Sequence, residues 1–364
     1  MAKDDYAILV GISRYADSSL HKLDGPVLDV GLIQYWLELP EGGGLTSGNI
    51  VRIVSDELSQ TPAPGENMPP LFQDFLDAYL KIVRKPDKKG FIQRADSRLY
   101  LYFSGHGFCN KYEREAHAAL YLANADRDVS WNIYGTYFAQ FAKDHGLFGE
   151  IVLIMDCCRD AELAKEPLVP PLRKPTDIGV TNQARLFELY AAPRGGKAQE
   201  RKIPSRNNEV HGLLTHAFLD ALHHAQPKNA TVSSQDIKEY LREQWDALCG
   251  DEPADRPEAI VPTNGEIIFQ RNGARDVLQR FKLKRLQEGS VFEVIDADFT
   301  VVALVTIGAG QATIERTGQA VHSYPITEGV IEVPLPATFC LAVAQTAEGV
   351  LKAKFQAGGN DVEL

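Results

Sequence analysis

Two short runs of large apolar and β-branched residues constrain this chain most: Leu99-Tyr100-Leu101-Tyr102-Phe103 and Ile151-Val152-Leu153-Ile154-Met155. Neither alternates with polar residues, so each reads as a strand covered on both faces, and a helical pattern over Trp131 to His145 lies between them. Strand, crossover helix and strand in that order imply neighbours in a parallel sheet. The first run ends in Ser104-Gly105-His106-Gly107 and the second in Asp156-Cys157-Cys158, so an imidazole and a thiol are expected at one sheet edge. In open α/β sheets the carboxyl edge is where ligands bind.

Other segments fit the same architecture. Tyr6 to Ile12, Asn49 to Ser55 and Leu186 to Ala191 read as further strands. Asp29 to Leu39, Leu71 to Val83, Gly212 to His224 and Ser234 to Leu248 have helical spacing, with Asp29 placed to cap the first of them. Glu162 to Thr181 and Arg194 to Glu209 read as polar loops. The α/β unit is expected to occupy residues 1–270 and to be followed by a basic linker at 271–285. Residues 286–364 carry six short strand-like runs divided by Gly, Pro and Asp turns, which suggests a small all-β, sandwich-like domain of unassigned role.

Composition narrows the setting. At 364 residues and 44% hydrophobic content the chain can fill a large core, while a formal charge of −11 disfavours nucleic-acid or anionic-membrane binding. Five cysteines without regular spacing are not a disulfide framework, and neither a leader nor a membrane span is evident, so a cytoplasmic setting is expected. No cofactor is implied. The pair His106 and Cys109 has ligand spacing, but Cys157 and Cys158 are adjacent and the paired Cys-x-x-Cys of a zinc site is absent. Acidic clusters such as Asp126-Arg127-Asp128 do not form an EF-hand loop, so no motif supports calcium dependence.

A thiol peptidase needs a thiolate to attack the scissile carbonyl, an imidazole to protonate the leaving amine, and N–H groups facing the oxyanion. His106 and a cysteine of the Cys157-Cys158 pair supply the first two, and the Gly107 and Cys158 N–H groups are candidate oxyanion donors. Gly105 and Gly107 give the backbone room to turn beside the imidazole. The remaining histidines, His211 among them, take the default structural role.

The ordered pieces Tyr6 to Ile12, Leu23 to Asp29, Tyr102 to Gly107, Asp156 to Cys158, Leu189 to Ala192 and Gly212 to Ala217 together resemble the caspase-like cysteine peptidases. The likeness is nearer to metacaspases and bacterial caspase-like proteins than to animal caspases, although Arg159 matches the animal form. It implies a mainly parallel sheet flanked by helices, with the nucleophile two residues after the aspartate, which selects Cys158. It also implies a basic P1 side chain held by Asp29 and Asp156, hence cleavage of a protein or peptide substrate after Arg, with Lys second. Acidic P1 specificity would need an arginine where Leu23 stands. The resemblance further suggests activation by cutting or rearrangement of the loop after Cys158, at Arg173, Lys174 or Arg185, by the enzyme itself, an upstream protease or a regulatory complex. A bacterial stress, defence or cell-death role would follow. A catalytically idle interaction module is the competing class.

Overall fold

The computed structural model describes residues 4–39, 42–55, 69–110, 117–126, 128–162, 167–168, 172, 183–203, 208–225, 231–271, 277–296, 301–315, 322–335, 339–346, 349–357 and 359–364. Two compact units emerge, Met1–Lys202 with Glu209–Gln270, and Ile203–Asn208 with Arg271–Leu364.

The first unit begins with β1 (Tyr6–Gly11), α1 (Pro26–Glu38), β2 (Ile50–Val54), α2 (Phe72–Val83) and β3 (Arg94–Gly105). It continues through β4 (Gly107–Asn110), β5 (Ala119–Tyr121), β6 (Asn132–Ile133), α3 (Gly135–Asp144), β7 (Phe148–Cys157), β8 (Asp160–Glu162) and β9 (Arg185–Tyr190). Then come β10 (Glu200–Ile203), β11 (Glu209–Gly212), α4 (Leu213–His224), β12 (Thr231–Ser233), α5 (Ser234–Cys249), β13 (Glu258–Ile260) and β14 (Ile268–Arg271). The central sheet has the order β13-β9-β7-β3-β1-β2. Every pairing in it is parallel except that of β13 with β9.

Both faces of the sheet are covered, and strand alternation sorts side chains between them. Leu99, Leu101 and Phe103 of β3 and Ile151, Leu153, Met155 and Cys157 of β7 pack in one layer with Phe75, Tyr79 and Phe138 of α2 and α3. Tyr100, Tyr102, Val152 and Ile154 enter the opposite layer with Trp36, Phe218 and Trp245 of α1, α4 and α5.

The helix capped by Asp29 in the sequence reading starts earlier. Pro26 occupies its first turn, where a missing N–H costs nothing, and Gly25 is the N-cap. Asp29 therefore lies inside α1 and is fully buried. The polar loop expected over Arg194 to Glu209 holds β10 and reaches β11, which form a two-stranded sheet. Its Glu200-Arg201-Lys202 run shows no apolar alternation, because Glu200 and Arg201 face a polar cleft rather than a core.

The second unit contains β15 (Val277–Lys282), β16 (Val291–Asp296), β17 (Val301–Ile307), β18 (Gln311–Glu315), β19 (His322–Pro325), β20 (Val330–Leu335), β21 (Phe339–Thr346), β22 (Gly349–Gln356) and β23 (Val362–Glu363). They form sheets ordered β19-β18-β17-β16-β21-β22 and β20-β15-β23, whose inner faces share one core that includes Phe281, Phe292, Val305 and Ile331. The segment expected to be a linker at 271–285 thus supplies β15, the middle strand of the smaller sheet. Its pattern is broken at one pair: Leu278 is 56% exposed while Gln279 is fully buried and donates to the carbonyls of Arg280 and Asn360, both at 2.9 Å. One reversed pair, a buried glutamine beside an exposed leucine, is enough to hide so short a strand from hydropathy.

Phe281 is fully buried in β15, with ring centroids 5.2 Å from Phe292 and 5.3 Å from Phe355. Phe281→Ala should cost about 3–5 kcal/mol in urea unfolding of the second unit followed by circular dichroism. A dispensable linker would show no loss.

Candidate active site

The pairing of β3 with β7 builds the site. Ser104 lies opposite Asp156 and Gly105 opposite Cys157, so the next residues of the two strands are His106 and Cys158. Adjacent strands run about 4.8 Å apart. Alternation also separates the two cysteines. Cys157 belongs with Ile151, Leu153 and Met155 in the α2/α3 layer and is fully buried, whereas Cys158, two residues after Asp156, is partly exposed and lines a cleft of about 550 Å³ with His106.

Cys157 also explains one of the flanking glycines. A Cβ at Gly107 would lie 2.6 Å from the Cys157 sulfur and 2.8 Å from the Ala119 carbonyl oxygen. Glycine at 107 therefore serves close packing of β4 over β7, as well as any approach of substrate. The conceivable zinc set does not converge, because Cys157 points into the core and the Cys109 thiol donates to the Arg159 carbonyl at 3.0 Å.

Tyr15 fixes the turn that presents the imidazole. Its hydroxyl donates to the Ile12 carbonyl at 2.9 Å and accepts from the His106 N–H at 2.7 Å. The His106 ring sets its Nε2 2.8 Å from the His21 carbonyl oxygen. A carbonyl can only accept, so Nε2 carries the proton and Nδ1 keeps the lone pair. Burial holds the His106 pKa below its ordinary value, against the opposing hydrogen bond to His21.

Cys158 rests as a thiol. Its Sγ donates to the Ala198 carbonyl at 3.8 Å, and burial, together with the charges of Asp160 and Asp156, raises its pKa against the Ala198 bond and Lys197. The next residue anchors the backbone. Arg159 is 1% exposed, with its guanidinium 4.5 Å over the Tyr190 ring, donating to the Ala192 carbonyl at 3.1 Å and paired with Glu258. Its N–H and carbonyl bond Gly196 and Gly195, which holds the segment leading to Ala198 against the strand end that carries Cys158.

The floor of the cleft is acidic. Asp29 Oδ1 lies 2.8 Å from His211 Nδ1, and its Oδ2 accepts the Gly212 N–H at 2.9 Å. Asp156 Oδ2 accepts from the Thr215 N–H at 2.9 Å and from its hydroxyl at 2.6 Å. Burial raises the pKa of both carboxyls; the Asp29 charge adds to the effect on Asp156, which reaches about 7. A third carboxylate, Glu200, accepts the Gly25 N–H at 2.8 Å at the start of α1. The sequence reading missed Glu200, and it gave His211 only a default role. The one local signal for His211 was its place directly before the Gly212-Leu213-Leu214-Thr215 piece.

Of the expected cleavage positions, Arg173 and Lys174 lie outside the described residues. Arg185 is the first residue of β9, paired in the sheet with Glu150 and ion-paired to the same residue. A protease could not engage that peptide bond without pulling the end of β9 from the sheet, so the expectation of an exposed site at Arg185 is corrected. Among the described residues, no helix is long and apolar enough to cross a membrane.

No family model matches the chain. It is similar to a probable protease of a Desulfuromonadales bacterium, 29% identical over 254 residues. That alignment takes in 67% of the chain but only 28% of the relative's length. Among solved structures, the chain aligns with caspase-1 of Spodoptera frugiperda at 11% identity and TM-score 0.43, covering 75% of this chain and 92% of that one. It also aligns with a Geobacter sulfurreducens protein at 13% identity and TM-score 0.40, covering 71% and 93% respectively.

Iodoacetamide should alkylate Cys158 slowly near neutrality, with a rate that keeps rising above the ordinary thiol pKa of about 8.5. Peptide mapping should find Cys157 unmodified while the protein is folded. Labelling of Cys157 first would contradict the strand register.

Proposed function

We propose that this chain is a caspase-like cysteine endopeptidase in which Cys158 is the nucleophile, His106 the general base and acid, and Asp29 with Asp156 the receptor for a basic P1 side chain. The observation that carries this reading is the register of β3 against β7, which brings His106 and Cys158 to one lip of a cleft whose floor is acidic. The name of the Desulfuromonadales relative agrees with peptidase activity.

The chemistry follows from the proton positions. With Nε2–H held by His21, the Nδ1 lone pair of His106 takes the Cys158 proton. The thiolate then bonds to the scissile carbonyl carbon, and the carbonyl π electrons move to oxygen, which the N–H groups of Gly107 and Cys158 are proposed to face. The imidazolium protonates the departing amine as the C–N bond breaks, leaving a thioester. Water, deprotonated by His106, attacks the thioester and releases the acid and the thiol.

A guanidinium bound between Asp29 and Asp156 would favour the ionised form of both. An acidic P1 side chain would meet three carboxylates instead, since Glu200 borders the same cleft. Arg is preferred over Lys because its planar fork can bond a carboxylate at two points. The resting thiol on Ala198 supports a further part of the proposal, that activation rearranges the segments around Cys158. Cutting near Arg173 or Lys174, by this enzyme or another, is one trigger. A role in a bacterial stress, defence or cell-death response, inside the cytoplasm, completes the proposal.

Two measurements test the reading. A fluorogenic peptide panel should give turnover with P1 Arg above Lys and far above Asp, abolished by Cys158→Ala; faster cleavage after Asp would remove it. The second uses pH. Asp156 titrates at about 7 in the free protein, against 3.8 for an ordinary aspartate, so it is largely neutral below that pH. Its raised pKa removes stability as pH climbs from the ordinary value to the folded one. A cationic P1 group recovers that loss by binding the ionised form. Hence kcat/KM for P1 Arg should rise through about pH 7, relative to a matched peptide with P1 citrulline, a neutral isostere. Asp156→Asn should flatten that ratio.

A further inference from the structure

The group that orients the deepest carboxylate of the cleft lies on neither the nucleophile's strand nor the imidazole's. His211, at 1% exposure, stands on β11 with its Nδ1 2.8 Å from Asp29 Oδ1. Its other nitrogen, Nε2, is buried, has no hydrogen-bond partner among the described residues, and lies 3.7 Å from Glu209 Oε2. The buried Asp29 carboxylate thus receives a side-chain partner from outside its own helix, as a buried oxygen requires. The following residue completes the arrangement. The Gly212 N–H donates to Asp29 Oδ2, and a Cβ at Gly212 would lie 2.2 Å from Asp156 Oδ2 and 3.0 Å from Asp29 Oδ2. Gly212 is thus wedged against both carboxylates, and its N–H together with the His211 ring meets both oxygens of Asp29.

We propose that His211 is a positioning residue that sets the P1 preference, by holding Asp29 turned toward Asp156 so that the pair can take one cationic side chain. The proposal rests on the basic-P1 reading above. His211 lies beneath Asp29 and does not touch substrate; it acts through the carboxylate. Without its N–H, Asp29 Oδ1 would be buried with no donor, and the side chain would turn toward another partner or take up a proton. Either outcome removes half of the cation receptor and leaves His106 and Cys158 in place. β11 would then act as the specificity element of the cleft, separate from the strands that carry the reacting groups.

The test compares kcat and KM on matched peptides with P1 Arg or P1 citrulline, for the wild type, His211→Leu and His211→Gln. His211→Leu should raise KM for the Arg peptide by about tenfold, with kcat and the citrulline peptide little changed. His211→Gln, whose side-chain amide can donate to Asp29 Oδ1, should recover most of the loss. Equal losses on both peptides, or no rescue by Gln, would overturn the proposal and leave His211 a structural residue. A wild type that does not distinguish Arg from citrulline would instead overturn the basic-P1 reading, and the His211 assignment with it. Should His211→Leu fail to fold, the wild type labelled with ¹⁵N-histidine decides the matter. The His211 Nδ1 resonance, assigned by its absence in His211→Gln, should shift on adding a peptidyl-arginine aldehyde but not the citrulline analogue. A resonance that ignores both overturns the proposal.

Discussion

The parallel pairing of β3 with β7 is the interaction on which the site depends. Side chains alternate between sheet faces with a period of two, so a slip of one residue would exchange every group at the strand ends. With Ser104 opposite Asp156, both His106 and Cys158 leave their strands with the same parity, and Cys157 is committed to the α2/α3 layer. What holds the register is packing on two sides. Phe103 and Met155 need one helical layer, while Tyr102 and Ile154 need the other. The choice between two neighbouring thiols is therefore a consequence of core packing several residues upstream.

The electrostatics of the cleft work against the thiolate and in favour of a cationic guest. Asp156 lies two residues before Cys158, and its charge is among those that raise the thiol pKa. Keeping a carboxylate there has a cost, which Thr215 and Gly212 offset by donating to Asp156 and Asp29. Asp29 and Asp156 are each destabilised as ions by burial, and Asp156 further by its neighbour. A positive side chain placed between them would relieve both effects. The same site that disfavours ionisation of its own carboxyls is thus suited to binding a basic residue, which is the physical content of the proposed specificity.

Much of the central sheet was legible because β3 and β7 are buried on both faces and read as unbroken apolar runs. α2 was placed to within a residue by the spacing of Phe75, Leu76, Tyr79 and Val83. The two strand failures share one cause, that alternation reports burial in a core and nothing else. β10 and β11 border a polar cleft, so their charged residues looked like a loop. β15 buries Gln279 and exposes Leu278, so it looked like a linker. Asp29 looked like a helix cap, since no local pattern tells a capping aspartate from one buried inside the first turn.

By itself the sequence determined that an imidazole and a thiol would stand at the ends of two parallel strands, since apolar runs of that length joined by a helical crossover admit few other arrangements. Tertiary structure decided what surrounds them. His211 and Glu200 come from β11 and β10, far along the chain from Asp29, and their meeting at the cleft depends on how that two-stranded sheet docks beside α1. Spacing along a chain encodes which face a residue occupies within its own element. It does not encode which distant carboxylate will be buried beside it, because that contact is fixed by packing between elements and by the need to supply a donor to each buried oxygen.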